Sequence, residues 1–192
     1  MMKKITMTLV LLALTAAGVQ AAALRLGLYY GPQTINEAKI DSAYLEGRKS
    51  VFSPCFEAEI WKGLTIGAGT EFGYDRRGRL GPEQSPATLG MSGWNVFLGY
   101  EIHLKQVGIF VHGGYVRASY RQTIDNPELS AFPVDQKKNS FFGSAGLKLY
   151  PLRFLYLSLK CTYVPLKVKP YDIEVDLGGF RFQGGLGFSL NL

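Results

Sequence analysis

Eight stretches of the chain alternate apolar and polar residues with a period of two, which predicts half-buried β-strands. In the first, ALRLGLYYG, Leu24, Leu26, Leu28 and Tyr30 share one face, with Arg25, Gly27 and Tyr29 on the other. FSPCFEAEIW sets Phe52, Phe56, Ala58 and Ile60 against Cys55, Glu57 and Glu59. LTIGAGTEFGY sets Leu64, Ile66, Ala68, Phe72 and Tyr74 against Thr65, Gly67, Gly69, Glu71 and Gly73. In GWNVFLGYEI, Trp94, Val96, Leu98, Tyr100 and Ile102 oppose Asn95, Phe97, Gly99 and Glu101. VGIFVHGGYVRASY is less regular: Ile109, Val111 and Tyr115 oppose Phe110, His112 and Gly114, and a slip of parity is expected near Arg117. SFFGSAGLKLY sets Phe141, Ala145, Leu147 and Leu149 against Ser144, Gly146 and Lys148. FLYLSLKCTYV sets Leu155, Leu157, Leu159, Cys161 and Tyr163 against Tyr156, Ser158, Lys160 and Thr162. The closing FRFQGGLGFSLNL puts Phe180, Phe182, Leu186, Phe188, Leu190 and Leu192 opposite Arg181, Gln183, Ser189 and Asn191.

The connections alternate as well. WKG, HLKQ and YPLR are tight turns, whereas residues 33–50, 75–88, 121–139 and 165–178 read as longer polar loops. Short turns at one end and long loops at the other fit an up-and-down barrel in a membrane. Ahead of the strands, Met1–Lys4 is short and basic. ITMTLVLLALTAAG is apolar but shorter than the roughly 20 residues a spanning helix needs, and VQAAA offers small residues for cleavage. The expectation is a cleavable signal peptide over residues 1–21 and a barrel domain over 22–192. Removing Lys3 and Lys4 lowers the formal charge from +6 to +4. Cys55 and Cys161 lie far apart in strand order, and two free thiols, buried or facing lipid, are favoured over a disulfide.

Alternation alone does not say which parity faces in. A soluble barrel would bury the apolar face; a membrane barrel turns it to lipid and points the charges inward. Three features favour the membrane. The polar parity is rich in glycine (Gly67, Gly69, Gly73, Gly99, Gly146, Gly185, Gly187), as the crowded lumen of eight strands requires. Aromatic residues gather near strand ends: Trp61, Tyr100, Tyr150 and Tyr156 by the short turns, Tyr30, Tyr74 and Tyr163 by the long loops, matching two interfacial girdles. The chain closes on an alternating strand with no polar tail, as pairing of the last strand with the first calls for. The predicted class is therefore all-β, an eight-stranded antiparallel up-and-down transmembrane β-barrel.

With the signal peptide, the segments IWKGLTIGAGTEFGY, GIFVHGGYVRASY and KVKPYDIEVDLGGFRFQGGLGFSL and the alternating last strand, the chain resembles the small Gram-negative outer-membrane β-barrel domain proteins, the eight-stranded outer-membrane-protein-A-like group. The resemblance implies location in the outer membrane, insertion by the barrel assembly machinery and a monomer in lipid. It places Phe at the last position, where this chain has Leu192.

On the inward parity, Arg25, Lys148, Lys160 and Arg181 can pair with Glu57, Glu59, Glu71 and Glu101, because charges in a narrow lumen are costly unless paired. The result would be a polar plug and not a conducting pore. His112 is the one histidine inside a strand, and it reads as a packed lumen residue. A lipid A-modifying enzyme would need a hydroxyl within reach of such a base, and Ser119, seven residues on, is too far along a strand. Gly67 and Gly69 do not extend into a dinucleotide fingerprint, and the few His and Cys lack metal-ligand spacing. No cofactor, metal or catalytic residue is expected. Basic residues recur in the loops: Arg48 with Lys49, the cluster Arg76, Arg77 and Arg79, and Lys137 with Lys138. The cluster of three suits lipopolysaccharide phosphates; nucleic acid is improbable for an exported chain with dispersed cations. TINEAKIDSAYLEG can form a short helix over the mouth. The leading function is a structural or interaction protein of the outer membrane without catalysis. The alternatives are a lipid A-modifying enzyme of the same architecture and a secreted, soluble lipocalin-like ligand-binding barrel, which would require the opposite parity.

Overall fold

The computed structural model describes residues 23–36, 44–80, 84–125, 134–168 and 175–191. The expected signal peptide and residues 37–43 of the expected mouth helix lie outside these. The strands are β1 (Ala23–Pro32), β2 (Glu46–Arg48), β3 (Ser50–Trp61), β4 (Leu64–Leu80), β5 (Ser85–Leu104), β6 (Val107–Ile124), β7 (Val134–Leu152), β8 (Leu155–Val164), β9 (Lys167–Val168), β10 (Val175–Asp176) and β11 (Gly179–Asn191). Eight of them, all but β2, β9 and β10, pair antiparallel with their neighbours, and β1 pairs with β11 from Ala23↔Asn191 to Tyr30↔Gly184 to close the barrel. Closure leaves no edge in the lipid-facing zone, where an unpaired backbone group would have no water to satisfy it. The turns at Lys62–Gly63, Lys105–Gln106 and Arg153–Phe154 are tight. Lys62 and Gly63 both have positive φ (38° and 91°), the twist that a two-residue hairpin needs.

The apolar parity faces out. Leu26, Leu28, Leu98, Val111, Leu147, Leu159, Phe188 and Leu190 are all exposed, Leu159 by 67%. Arg25, Glu57, Glu101 and Lys148 are buried inside. On β5 the outward apolar run from Trp94 to Leu104 spans about 34 Å along the strand, or about 26 Å of height at a tilt of roughly 40°. That is the height of a hydrocarbon belt. A lipocalin-like ligand-binding interior is excluded at this level, since its apolar residues would have to face inward.

Above the belt the strands do not give way to long loops. The 75–88 and 121–139 connections expected from the sequence are mostly strand: β4, β5, β6 and β7 carry on past the aromatic ring as a four-stranded wall. There the parity of apolar residues inverts. Tyr74, Leu89, Met91, Val116, Ala118 and Tyr120 point inward and pack with Tyr44, Val51, Val164, Leu166, Val168 and Leu177 into a hydrophobic core. The outward positions (Asp75, Arg77, Arg79, Thr88, Arg117, Arg121, Thr123) are exposed and polar. In β6 no slip occurs at Arg117: pairing with β5 is unbroken from Leu104↔Val107 to Ala87↔Ile124. What changes at Val116 is the solvent on the outer side, not the strand.

β4 differs. A bulge between Glu71 and Tyr74 interrupts its pairing with β5, with Gly73 at φ +96°. The extra residue flips the strand, so Tyr74 turns inward and is no girdle residue. Tyr150 and Tyr156 also leave the expected girdle. Tyr156 is buried in the lumen and Tyr150 hydrogen-bonds there, because both lie on the inward parity of their strands. The upper girdle instead takes one aromatic from each barrel strand: Tyr30, Phe52, Phe72, Trp94, Tyr115, Phe141, Tyr163 and Phe180. Phe52–Phe72, Trp94–Tyr115, Tyr115–Phe141 and Tyr163–Phe180 are in ring contact.

Candidate functional site: the lumen and the protruding head

The lower lumen is filled by one ion network. Arg25 enters from β1, Glu57 and Glu59 from β3, Glu101 from β5, and Lys148 and Tyr150 from β7. Arg25 reaches Glu57 at 2.7 Å, Glu59 at 2.5 Å and Glu101 at 3.2 Å. Lys148 Nζ reaches Glu57 at 2.6 Å and Glu101 at 2.8 Å. The Tyr150 hydroxyl donates to Glu101 at 2.6 Å, the Gly63 amide donates to Glu59 at 2.9 Å, tying the network to the turn, and His103 lies 3.2 Å from Glu59. Each carboxylate thus has a cation and a further donor or second cation, which is what makes charge in a dry interior tolerable. Higher up, Arg181 pairs with Glu71, which also accepts from Asn95 at 3.2 Å. Lys160 completes the eight expected lumen charges, its ammonium 4.1 Å from the centre of the Tyr29 ring.

Between these charges lies an aromatic layer set by the strand register. Five inward glycines face a ring on the directly opposite residue: Gly67↔Phe97, Gly99↔His112, Gly146↔Phe110, Gly187↔Tyr156 and Gly185↔Tyr29. A Cβ on Gly67, Gly99 or Gly187 would lie 2.1–2.2 Å from its ring, so each ring can lie over the glycine opposite it only because that glycine has no side chain. His112 sits between Phe97 and Phe110, each 4.6 Å away centre to centre. The sequence hints at this layer through its inward glycines but not at the pairing, which needs the register.

Beside His112 and Lys160 the lumen holds a polar cavity of about 20 Å³, with Cys55 and Glu71 in its wall. That is room for a single water. Cys55 and Cys161 are both free; Cys55 lines this cavity and Cys161 lies on the outward parity. His112 faces in and Ser119 sits on the opposite, outward parity, so the two form no dyad.

The basic cluster of three is split. Arg76 is fully buried inside the head, where its guanidinium donates to the Tyr44 carbonyl. It cannot contact lipopolysaccharide, because the β4 bulge put it on the inward parity. Arg77 and Arg79 remain outside and exposed. They border an open cleft of about 970 Å³ at the tip of the head, with Glu46, Thr88 and Thr123.

No family model and no curated protein matches the sequence. Solved structures do share the fold. Pseudomonas aeruginosa outer-membrane protein OprG aligns with a TM-score of 0.66 at 9% identity, over 91% of this chain and 99% of that one. The N-terminal β-barrel domain of P. aeruginosa OprF gives 0.59 at 9% identity, over 88% and 98%. Ail, the attachment invasion locus protein of Yersinia pestis, gives 0.54 at 13%, over 89% and 100%. The chain has the fold of the small outer-membrane barrels. That fold, together with the belt of outward apolar residues under an aromatic ring, puts it in the outer membrane. At these identities the likeness reaches no further than the fold.

Proposed function

We propose that this outer-membrane barrel is a non-conducting, non-catalytic envelope protein, a monomer inserted by the barrel assembly machinery, which acts through its rigid extracellular head. The observation that carries this is the filled lumen: an ion network below, an aromatic layer above it, and a cavity of about 20 Å³ in mid-barrel. Eight strands leave an interior that side chains can fill, and the inward ion pairs and rings support a closed lumen here. The head gives the barrel a rigid, water-facing surface, and cations on its outer face, Arg76 not among them, suit lipopolysaccharide. The test is conductance of the refolded full chain in planar bilayers. Silent membranes are expected; discrete channels of steady conductance would overturn the reading.

A further inference from the structure

The outward face of the wall forms ordered rows above the lipid belt. Trp94, in the aromatic ring, is level with Arg117 on β6, which is level with Asn139 on β7. One outward step higher, about 7 Å along the strand, Ser92, Ser119 and Lys137 lie side by side on β5, β6 and β7. Arg117 and Lys137 are thus diagonal cross-strand neighbours, with about 7 Å between them. Neither row holds a carboxylate among the described residues. The next row does, and there Arg121 lies 3.9 Å from Asp135. On the other flank the outward position after the ring residue is a proline both in β1 (Tyr30, then Pro32) and just past the end of β8 (Tyr163, then Pro165), and so has no side-chain donor.

The aromatic ring marks the boundary between hydrocarbon and headgroups. Two cations, two hydroxyls and a carboxamide therefore stand on one flank at the height where lipid phosphates lie. Arg77 and Arg79 stand three and four outward steps above Trp94, about 20 and 27 Å along the strand. We infer that Arg117 and Lys137, with Ser92, Ser119 and Asn139, form a docking site for the phosphate of a phosphorylated glycolipid, lipopolysaccharide, in the surrounding leaflet. The planar guanidinium of Arg117 can grip two phosphate oxygens while Lys137 supplies a point charge. The inference rests on the membrane placement above and moves the lipid contact from the head's tip to its base.

The test uses the full chain with Trp61→Phe, leaving Trp94 as the reporter beside the site. It is refolded into phosphatidylcholine vesicles doped with increasing lipopolysaccharide, or with the same lipopolysaccharide after dephosphorylation. Trp94 emission should respond to the phosphorylated form, with an apparent affinity that falls as salt rises. Arg117→Ala/Lys137→Ala should weaken it about tenfold or more, Arg117→Lys/Lys137→Arg should restore most of it, and Arg77→Ala/Arg79→Ala should leave it nearly unchanged. An equal response to the dephosphorylated lipid, no response at all, or an undiminished response in the double alanine variant overturns the site. Heat-modifiable migration of the same samples on gels separates the two levels. If the shift is present without a phosphate-dependent response, the docking site alone falls; if the shift itself is absent, the membrane barrel falls with it.

Discussion

The belt and the head of this barrel are made of the same strands and obey opposite rules. In β6, Ile109 and Val111 face out and His112 faces in; ten residues on, Arg121 faces out and Tyr120 faces in. The backbone between them is continuous. Alternation therefore fixes that a segment is a strand, whereas the medium on its outer side fixes which parity is apolar. Lipid accepts the apolar face and drives polar groups inward to be paired; water does the reverse.

Breaking the belt's interior should cost most. Lys148→Ala removes the cation shared by Glu57 and Glu101 and should destabilise by about 3–5 kcal/mol, read from urea unfolding of the barrel in detergent micelles. The outer faces sharpen the contrast. Leu159→Arg puts a charge in mid-belt and should cost about 2–4 kcal/mol, while Thr123→Arg on the head's outer face should change stability by about 0.5 kcal/mol or less; equal costs would mean that both faces meet the same medium. An intermediate effect probes the junction. Gly73→Val has space for its side chain, with no atom closer than 3.8 Å to a Cβ, but must adopt φ +96°. It should cost about 1–3 kcal/mol, seen as faster protease cleavage of the head while the belt persists.

Much of the belt was legible in the sequence. Leu24, Leu26 and Leu28 against Arg25 already mark a lipid-facing strand, and WKG already marks a turn. The head was not, because a search for a constant apolar parity stops where the parity inverts. Its strands then pass for polar loops, and the irregularity near Arg117 was the visible trace of that inversion. Arg76 was hidden for a related reason: nothing local separates it from Arg77 and Arg79, and its inward turn follows from one extra residue at Gly73. Tyr156 was given to the girdle for its nearness to a turn, although its neighbours Leu155 and Leu157 already assign it to the lumen.

The seam between β1 and β11 sets a condition on the order of events in assembly. It joins Ala23 to Asn191, partners at nearly the greatest sequence separation in the barrel, and such contacts form late because the intervening chain must be ordered first. Until then two unpaired strand edges are exposed, and lipid offers them no hydrogen bonds. A partly assembled sheet is thus not a resting point in the bilayer. It must be held by another protein's strand or kept out of lipid until the last hairpin arrives, so the step most open to interruption is the final one.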